Sequence, residues 1–231
     1  MDIKVLSSGS SGNCYKITDG KTSLLLECGL PIQKIKQGLF HRLFDVAACL
    51  VSHEYQDHCK AVHDIMKAGI NVYMSQGTKR VLKLEGHRAK VINSQTSIGT
   101  FEVLPFETRH DAEEPRGFLI QSRFTGERCL YATDTYYLPN KFNGLTQIML
   151  EINYSMELLK QNIESGLVNP KLKDRLLQSH MSLENAVEFF KSNDMSRVKE
   201  VIVLHMSQGN ADEELIKRTI QELIGRQIRI A

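Results

Sequence analysis

The chain has 231 residues, enough to bury a full core, with 42% hydrophobic and 24% charged residues, which excludes a disordered or fibrous protein. A formal charge of +2 is too mild to announce a nucleic-acid binder by itself, so the partner has to be read from a site. One domain covering 1–231 is expected from this length. The five cysteines at 14, 28, 49, 59 and 129 are odd in number and form no CxxC pair. They read as small buried hydrophobes in a reducing compartment, and with no secretion-signal layout at the start and no apolar run near 18 residues, the expectation is a cytoplasmic protein without a membrane partner.

Along the chain, IKVLSS, CYKITD, TSLLLEC, DVAACLVS, INVYMS, AKVINS, GTFEVLPF, GFLIQSR and RCLYATD read as strands from their Val, Ile, Leu, Phe and Tyr content between turn residues. Helical patterns interrupt them at IQKIKQGL, HCKAVHDIMKAG and GTKRVLKL. From residue 155 onward SMELLKQNIESG, NPKLKDRLLQSH, SLENAVEFFKSN and DEELIKRTIQELIGR repeat apolar residues at three- and four-residue intervals, as amphipathic helices do, with the strand KEVIVLHMS between the last two. Interleaved strands and helices predict a layered α/β domain. The SSGSSGN segment, 7–13, lacks a GKS or GKT ending and a following helix, so it predicts a tight hairpin in which Asn13 satisfies local backbone.

The segment LVSHEYQDHCKAV, 50–62, places His53, Glu54, Asp57 and His58 just after a buried strand. Ligand sites of α/β folds favour such strand ends. His53 and His58 are five apart, and about 3.6 residues per turn would send them to different faces of a helix, which excludes the HExxH zinc helix. A loop wrapping a metal remains, with His53, Asp57 and His58 as ligands and others supplied from elsewhere. His110, Asp134 and His205 each follow an apolar run and suit that role. Any one of them alone is what a capping or surface residue looks like; all of them in this order point to a metal centre.

These segments resemble the metallo-β-lactamase superfamily, whose signature is HxHxDH followed by a distant His, Asp and His. The likeness is to its phosphodiesterase and nuclease branch of WalJ (YycJ) type, through VLSSGSSGNCYKI, LLLECGL, SHEYQDHCKAV, LEINY, SHMSLENA and LHMSQGNAD. The resemblance implies an αββα four-layer sandwich and one or two zinc or manganese ions. It implies a first metal on His53 and His110, a second on Asp57, His58 and His205, and Asp134 as the bridge. Tyr55 stands where the family has its second histidine, and a phenol with pKa near 10 is a weaker ligand. Glu27 stands where the family has an aspartate that orients a metal-bound histidine. Asp57 and His180 are the implied catalytic residues, with His180 giving a hydrogen bond or proton to phosphate; on residues alone, His180 also reads as a helix flank beside a Ser182 cap.

A metal-dependent phosphodiesterase or nuclease follows, with 5′ to 3′ exonuclease action on DNA as its specific form. Hydrolysis of a small phosphodiester or cyclic nucleotide is the second reading, and a non-catalytic binding module with a degenerate metal site the third. Arg116 and the basic runs 79–90 and 169–175 are candidate backbone contacts, although a solvated helix face is the commoner meaning of such runs. Oligomeric state is left open.

Overall fold

The computed structural model describes residues 1–169 and 173–231 with their side chains, and the helical backbone of 170–172. The chain packs as two compact units. One comprises Met1–Glu107 with Ala112–Glu127, and the other Thr108–Asp111 with Arg128–Ala231.

The first unit carries β1 (Asp2–Ser7), β2 (Cys14–Thr18), β3 (Ser23–Leu26), β4 (Val46–Leu50), β5 (Asn71–Met74) and β6 (Ala89–Val91), which lie side by side in chain order. The first three are antiparallel because hairpin turns join them, whereas β3 to β6 are parallel and need crossovers. Helices α1 (Ile32–Gly38), α2 (Gln56–Cys59), α3 (Val62–Lys67) and α4 (Gln76–Val81) supply them. β7 (Thr96–Ile98), β8 (Phe101–Glu107) and β9 (Arg116–Ser122) continue as an antiparallel meander. Cys14, Cys28, Cys49 and Cys59 all lie in the apolar cluster under α1 and α3, as small hydrophobes do. Burial pushes the Cys59 and Cys129 thiols up to about 12, so they are inert.

The second unit is built on four parallel strands, β10 (Arg128–Ala132), β11 (Gln147–Glu151), β12 (Glu200–Leu204) and β13 (Gln227–Ile230). Helices α5 (Met156–Glu164), α6 (Pro170–Ser179), α7 (Leu183–Ser192) and α8 (Glu213–Ile224) follow the expected patterns. Three are capped by side chains: Ser155 accepts from Leu158 N, Ser182 from Asn185 N and Asp212 from Leu215 N, each satisfying a terminal amide. Gly225, at φ 62°, ends α8 in the left-handed conformation that costs glycine least.

The strands expected from the sequence form, and three further ones appear: β7, β11 and β13. Every residue of β11 is buried, so the alternation that marks a half-exposed strand is absent from QIMLE. The helix expected over HCKAVHDIMKAG is broken into α2 and α3 because Ala61 N donates to Cys28 O at 2.9 Å, a tertiary bond that ends the first turn. Asp57, expected in the loop, therefore sits in the first turn of α2. No described helix is long and apolar enough to cross a membrane.

Candidate metal centre

In the first unit the candidate ligands gather where β3 and β4 end. Val51 continues the ladder by donating to Tyr73 O, and then the chain turns: Ser52 and His53 are buried, Tyr55 is half-buried, and α2 carries Asp57 and His58. The Tyr55 carbonyl accepts from His58 N and Cys59 N, so the tyrosine begins the helix that presents His58. The His53 and His58 rings lie 4.1 Å apart between centroids, and the Tyr55 ring meets His53 edge-on at 5.0 Å.

Hydrogen bonds fix the His58 tautomer. The Asn13 carbonyl oxygen accepts from Gly9 N at 2.9 Å and from the Tyr15 hydroxyl at 3.0 Å, so the other end of that amide is its NH2 group, 3.2 Å from His58 Nε2. Nε2 is then the acceptor nitrogen and Nδ1 carries the proton. His58 Nδ1 faces Glu27 Oε2 at 3.6 Å, while both Glu27 oxygens accept from Ser52 N at 3.2 Å. Glu27 thus braces the turn leading to His53 with its carboxylate beside the His58 imidazole, and its own φ of 62° is a left-handed conformation that a glutamate rarely adopts. On the other side the same His58 Nε2 stands 3.3 Å from Asp57 Oδ2, which brings the two candidate ligand side chains together.

The second unit gathers His110, Asp134, Glu151, His180 and His205 at the ends of its strands and in the segment 108–111. His110 Nδ1 donates to Ser179 O at 2.9 Å, which leaves Nε2 as the lone-pair nitrogen, 3.8 Å from Asp134 Oδ2. His205 Nδ1 bonds Asp134 Oδ1 at 2.6 Å and lies 3.3 Å from Glu151 Oε1; His180 Nδ1 bonds the same Glu151 oxygen at 2.6 Å. The other Glu151 oxygen accepts from Thr135 N at 3.0 Å and Met181 N at 3.4 Å, so this carboxylate ties three loops together. Asn153 adds a bond from its amide to His205 O at 2.7 Å. Asp134 and His205 hold φ values of 46° and 48°, left-handed backbone that non-glycine residues adopt at some cost.

Burial alone would depress the His205 pKa, but the charge and hydrogen bond of Asp134, helped by Glu151, outweigh it and raise it to about 10. His180 is raised against burial in the same way, chiefly by the Glu151 charge. Burial and the Asp134 charge would both raise Glu151, yet the His180 charge and the hydrogen bonds from His180 and His205 hold it below the usual glutamate value. Two buried carboxylates require positive charge beside them, which protonated imidazoles or a divalent cation both supply. Asp134 and His205 can offer ligand atoms to such an ion with Glu151 and His180 close beside them, since one candidate atom from each of the four lies within 4.8 Å of the others.

The sequence-derived residues divide as His53, Tyr55, Asp57, His58 and Glu27 in the first unit and His110, Asp134, His180 and His205 in the second. Glu151 had no role assigned from the sequence; a glutamate ending an apolar run in LEINY was the available signal. Arg116, a candidate phosphate contact, is held by Glu114 at 2.5 Å and Glu107 at 3.5 Å. In the basic run 79–90, Lys79 donates to Ala89 O, Arg80 pairs with Glu113 and Arg88 reaches Gly69 O, so these cations brace their own unit. In the run 169–175, Arg175 pairs with Asp111 at 3.3 Å, while the Lys171 side chain lies outside the described residues.

A family model described as a beta-lactamase superfamily domain matches residues 24–206. An exodeoxyribonuclease WalJ of Streptococcus pneumoniae is 28% identical over 235 residues, spanning 94% of this chain and 85% of that protein. An exodeoxyribonuclease YycJ of Bacillus anthracis is 26% identical over 242 residues, spanning 97% of this chain and 89% of that protein. Among solved structures, the metallo-β-lactamase fold protein YhfI from Bacillus subtilis matches with a TM-score of 0.75 at 14% identity, over 99% of this chain and 95% of that one. The αββα sandwich class expected from the sequence is the class of this chain.

Proposed function

We propose that this chain, which belongs to the beta-lactamase superfamily, is a metal-dependent hydrolase of phosphodiester bonds, and within that class an exodeoxyribonuclease acting 5′ to 3′ on DNA. The observation that carries the reading is the pair of buried imidazoles oriented alike by their neighbours: Nδ1 is engaged in His110 by Ser179 O and in His205 by Asp134, turning Nε2 of each away from that partner as the candidate ligand atom. Purely structural histidines have no need of that common orientation. The names of the WalJ and YycJ relatives support DNA as the substrate.

The residues that would hold metal are His53, Asp57 and His58 in the first unit and His110, Asp134 and His205 in the second, with zinc or manganese as the ion. We read the chain as one domain, because the matched segment 24–206 runs through both units. A divalent ion bound there supplies a water of lowered pKa and offsets charge on the phosphate. Asp57 anchors its side of the site from the first turn of α2, where its carboxylate faces His58 Nε2. His180 is half-buried, with Nδ1 held by Glu151, so its ring is fixed and Nε2–H is available to donate to a phosphate oxygen or to the leaving oxygen. Tyr55, beside His53, makes the first metal position the weaker one. A cytoplasmic location accords with the five free, buried cysteines.

The test is turnover of single- and double-stranded linear DNA, RNA, cyclic nucleotides and a chromogenic phosphodiester, each with zinc, manganese or magnesium. Degradation of DNA from its 5′ end, abolished in His58→Ala, is the expected result. Exclusive turnover of a small diester would replace the nuclease reading. Inertness of the metal-loaded protein on every substrate, with binding retained, would make it a binding module.

A further inference from the structure

We propose that a basic cleft over β1 and β2, at the end of the first unit away from its metal ligands, binds the phosphate backbone of single-stranded nucleic acid. The cleft has a volume of about 470 Å³ and is lined by Lys4, Lys16, Lys21 and Arg42, with Asp45 as its carboxylate and Phe40 at its edge. Its place follows from the topology. Ser23 begins β3 and Asp45 immediately precedes β4, whereas Glu27 and His53 to His58 follow the other ends of those same strands.

Three features of the cleft are costly for folding and useful for an anion. Lys4 and Lys16 are paired directly across β1 and β2, both half-buried, and like charges opposite one another destabilise a sheet pair. Lys21 extends from the adjoining β2–β3 turn, so three ammonium groups border one concavity, and among the described residues the one carboxylate lining it, Asp45, is taken by Arg42, whose Nε bonds it at 2.6 Å. Phe40 and His41 are consecutive non-glycine residues at φ 52° and 61°, and Phe40 remains 77% exposed, so burial does not compensate its backbone strain. That turn holds the ring where Lys4 Nζ lies 4.0 Å from its centroid, at the mouth of the cleft.

Clustered ammonium groups bind phosphates by releasing counterions, and an exposed aromatic ring beside them stacks an unpaired base. Duplex DNA keeps its bases stacked internally and would leave the ring unused, which favours a single strand. The site adds a place where a strand is held away from the reacting phosphate, and in that role rests on the phosphodiesterase reading; the binding itself does not.

The experiment measures anisotropy of a labelled oligothymidylate against the full chain over a range of potassium chloride, with inorganic polyphosphate as a second probe and chromogenic diester turnover as the control. Lys4→Ala/Lys16→Ala/Lys21→Ala should weaken oligonucleotide binding by about tenfold or more and flatten the log–log salt slope by roughly 2, from a contribution of about 0.7 per lost contact. Lys21→Glu, at an exposed turn position, gives the same direction of change without touching the strand pair. Phe40→Ala should weaken oligonucleotide but not polyphosphate binding. Unchanged affinity and slope in both lysine variants would overturn the proposal, and loss of polyphosphate binding alone would reassign the cleft to free polyanions. Lysine-dependent binding by a protein that hydrolyses nothing would sink the phosphodiesterase reading and leave the cleft standing. Full diester turnover with lysine-independent binding would do the reverse.

Discussion

Replacing Glu151 by glutamine keeps the shape of the side chain and removes one charge at the point where the second unit's loops converge. Glu151 is fully buried and has four neighbours to satisfy: His180 Nδ1 at 2.6 Å and His205 Nδ1 at 3.3 Å on one oxygen, Thr135 N at 3.0 Å and Met181 N at 3.4 Å on the other. A glutamine has one acceptor oxygen and one donor group, so either the two imidazoles or the two backbone amides must face an NH2. A charge-assisted bond contributes about 1.5–3 kcal/mol and a buried unsatisfied donor costs about 1–3 kcal/mol. Losing the charge assistance and stranding one donor pair gives a destabilisation of roughly 2–4 kcal/mol. At about 2–4 °C per kcal/mol for a chain of this size, the melting temperature should fall by roughly 5–15 °C. Metal affinity should fall about 10- to 100-fold, the range for removing an outer partner of a ligand. Calorimetry of the metal-free protein and titration with zinc or manganese measure the two effects separately. A shift under about 2 °C together with unchanged metal affinity would refute the account of Glu151 as the tie between the loops.

Tyr55→His should raise phosphodiesterase activity at low metal concentration and approach wild type at saturation, because a neutral imidazole is the better ligand beside His53; reduced activity at saturating metal would mean the phenol itself contacts metal or substrate. Protein purified without chelator should contain nearer one metal equivalent than two by elemental analysis, since the position next to Tyr55 is the weaker. Asp19 gives a pH prediction. Burial would raise its pKa, but the Ser122 and Thr100 hydroxyls and the Thr22 and Lys21 amides all donate to it and hold it at about 2. A pKa depressed in the folded state gives stability that is present above the unfolded value and is lost as pH falls through the folded one. The stability difference between wild type and Asp19→Asn should therefore be constant above about pH 4 and shrink towards pH 2 in acid-unfolding curves. A difference that persists unchanged at pH 2 would point to packing instead.

The sequence by itself determined the elements with clear periodicity and the candidate residues for the chemistry. His53, Asp57, His58, His110, Asp134 and His205 were legible because each follows an apolar strand, and side chains leaving a strand end gather at a sheet edge in this fold class. The amphipathic helices α5, α7 and α8 were legible, α7 with its Ser182 cap, since both signals act within one turn of chain. Tertiary structure alone decided what depends on distant partners. β11 is buried along its whole length and so shows no local pattern; the break between α2 and α3 needs Cys28 O; the His110 tautomer needs Ser179, 69 residues away, and His205 is set by Asp134 across 71. Local propensity and periodicity reach only a few residues, whereas a proton's position on an imidazole is chosen by whichever acceptor the fold brings beside it. Glu151 belongs to that second class: its acidity was written in the chain, but its place between two histidines and two amides exists only once the strand ends meet.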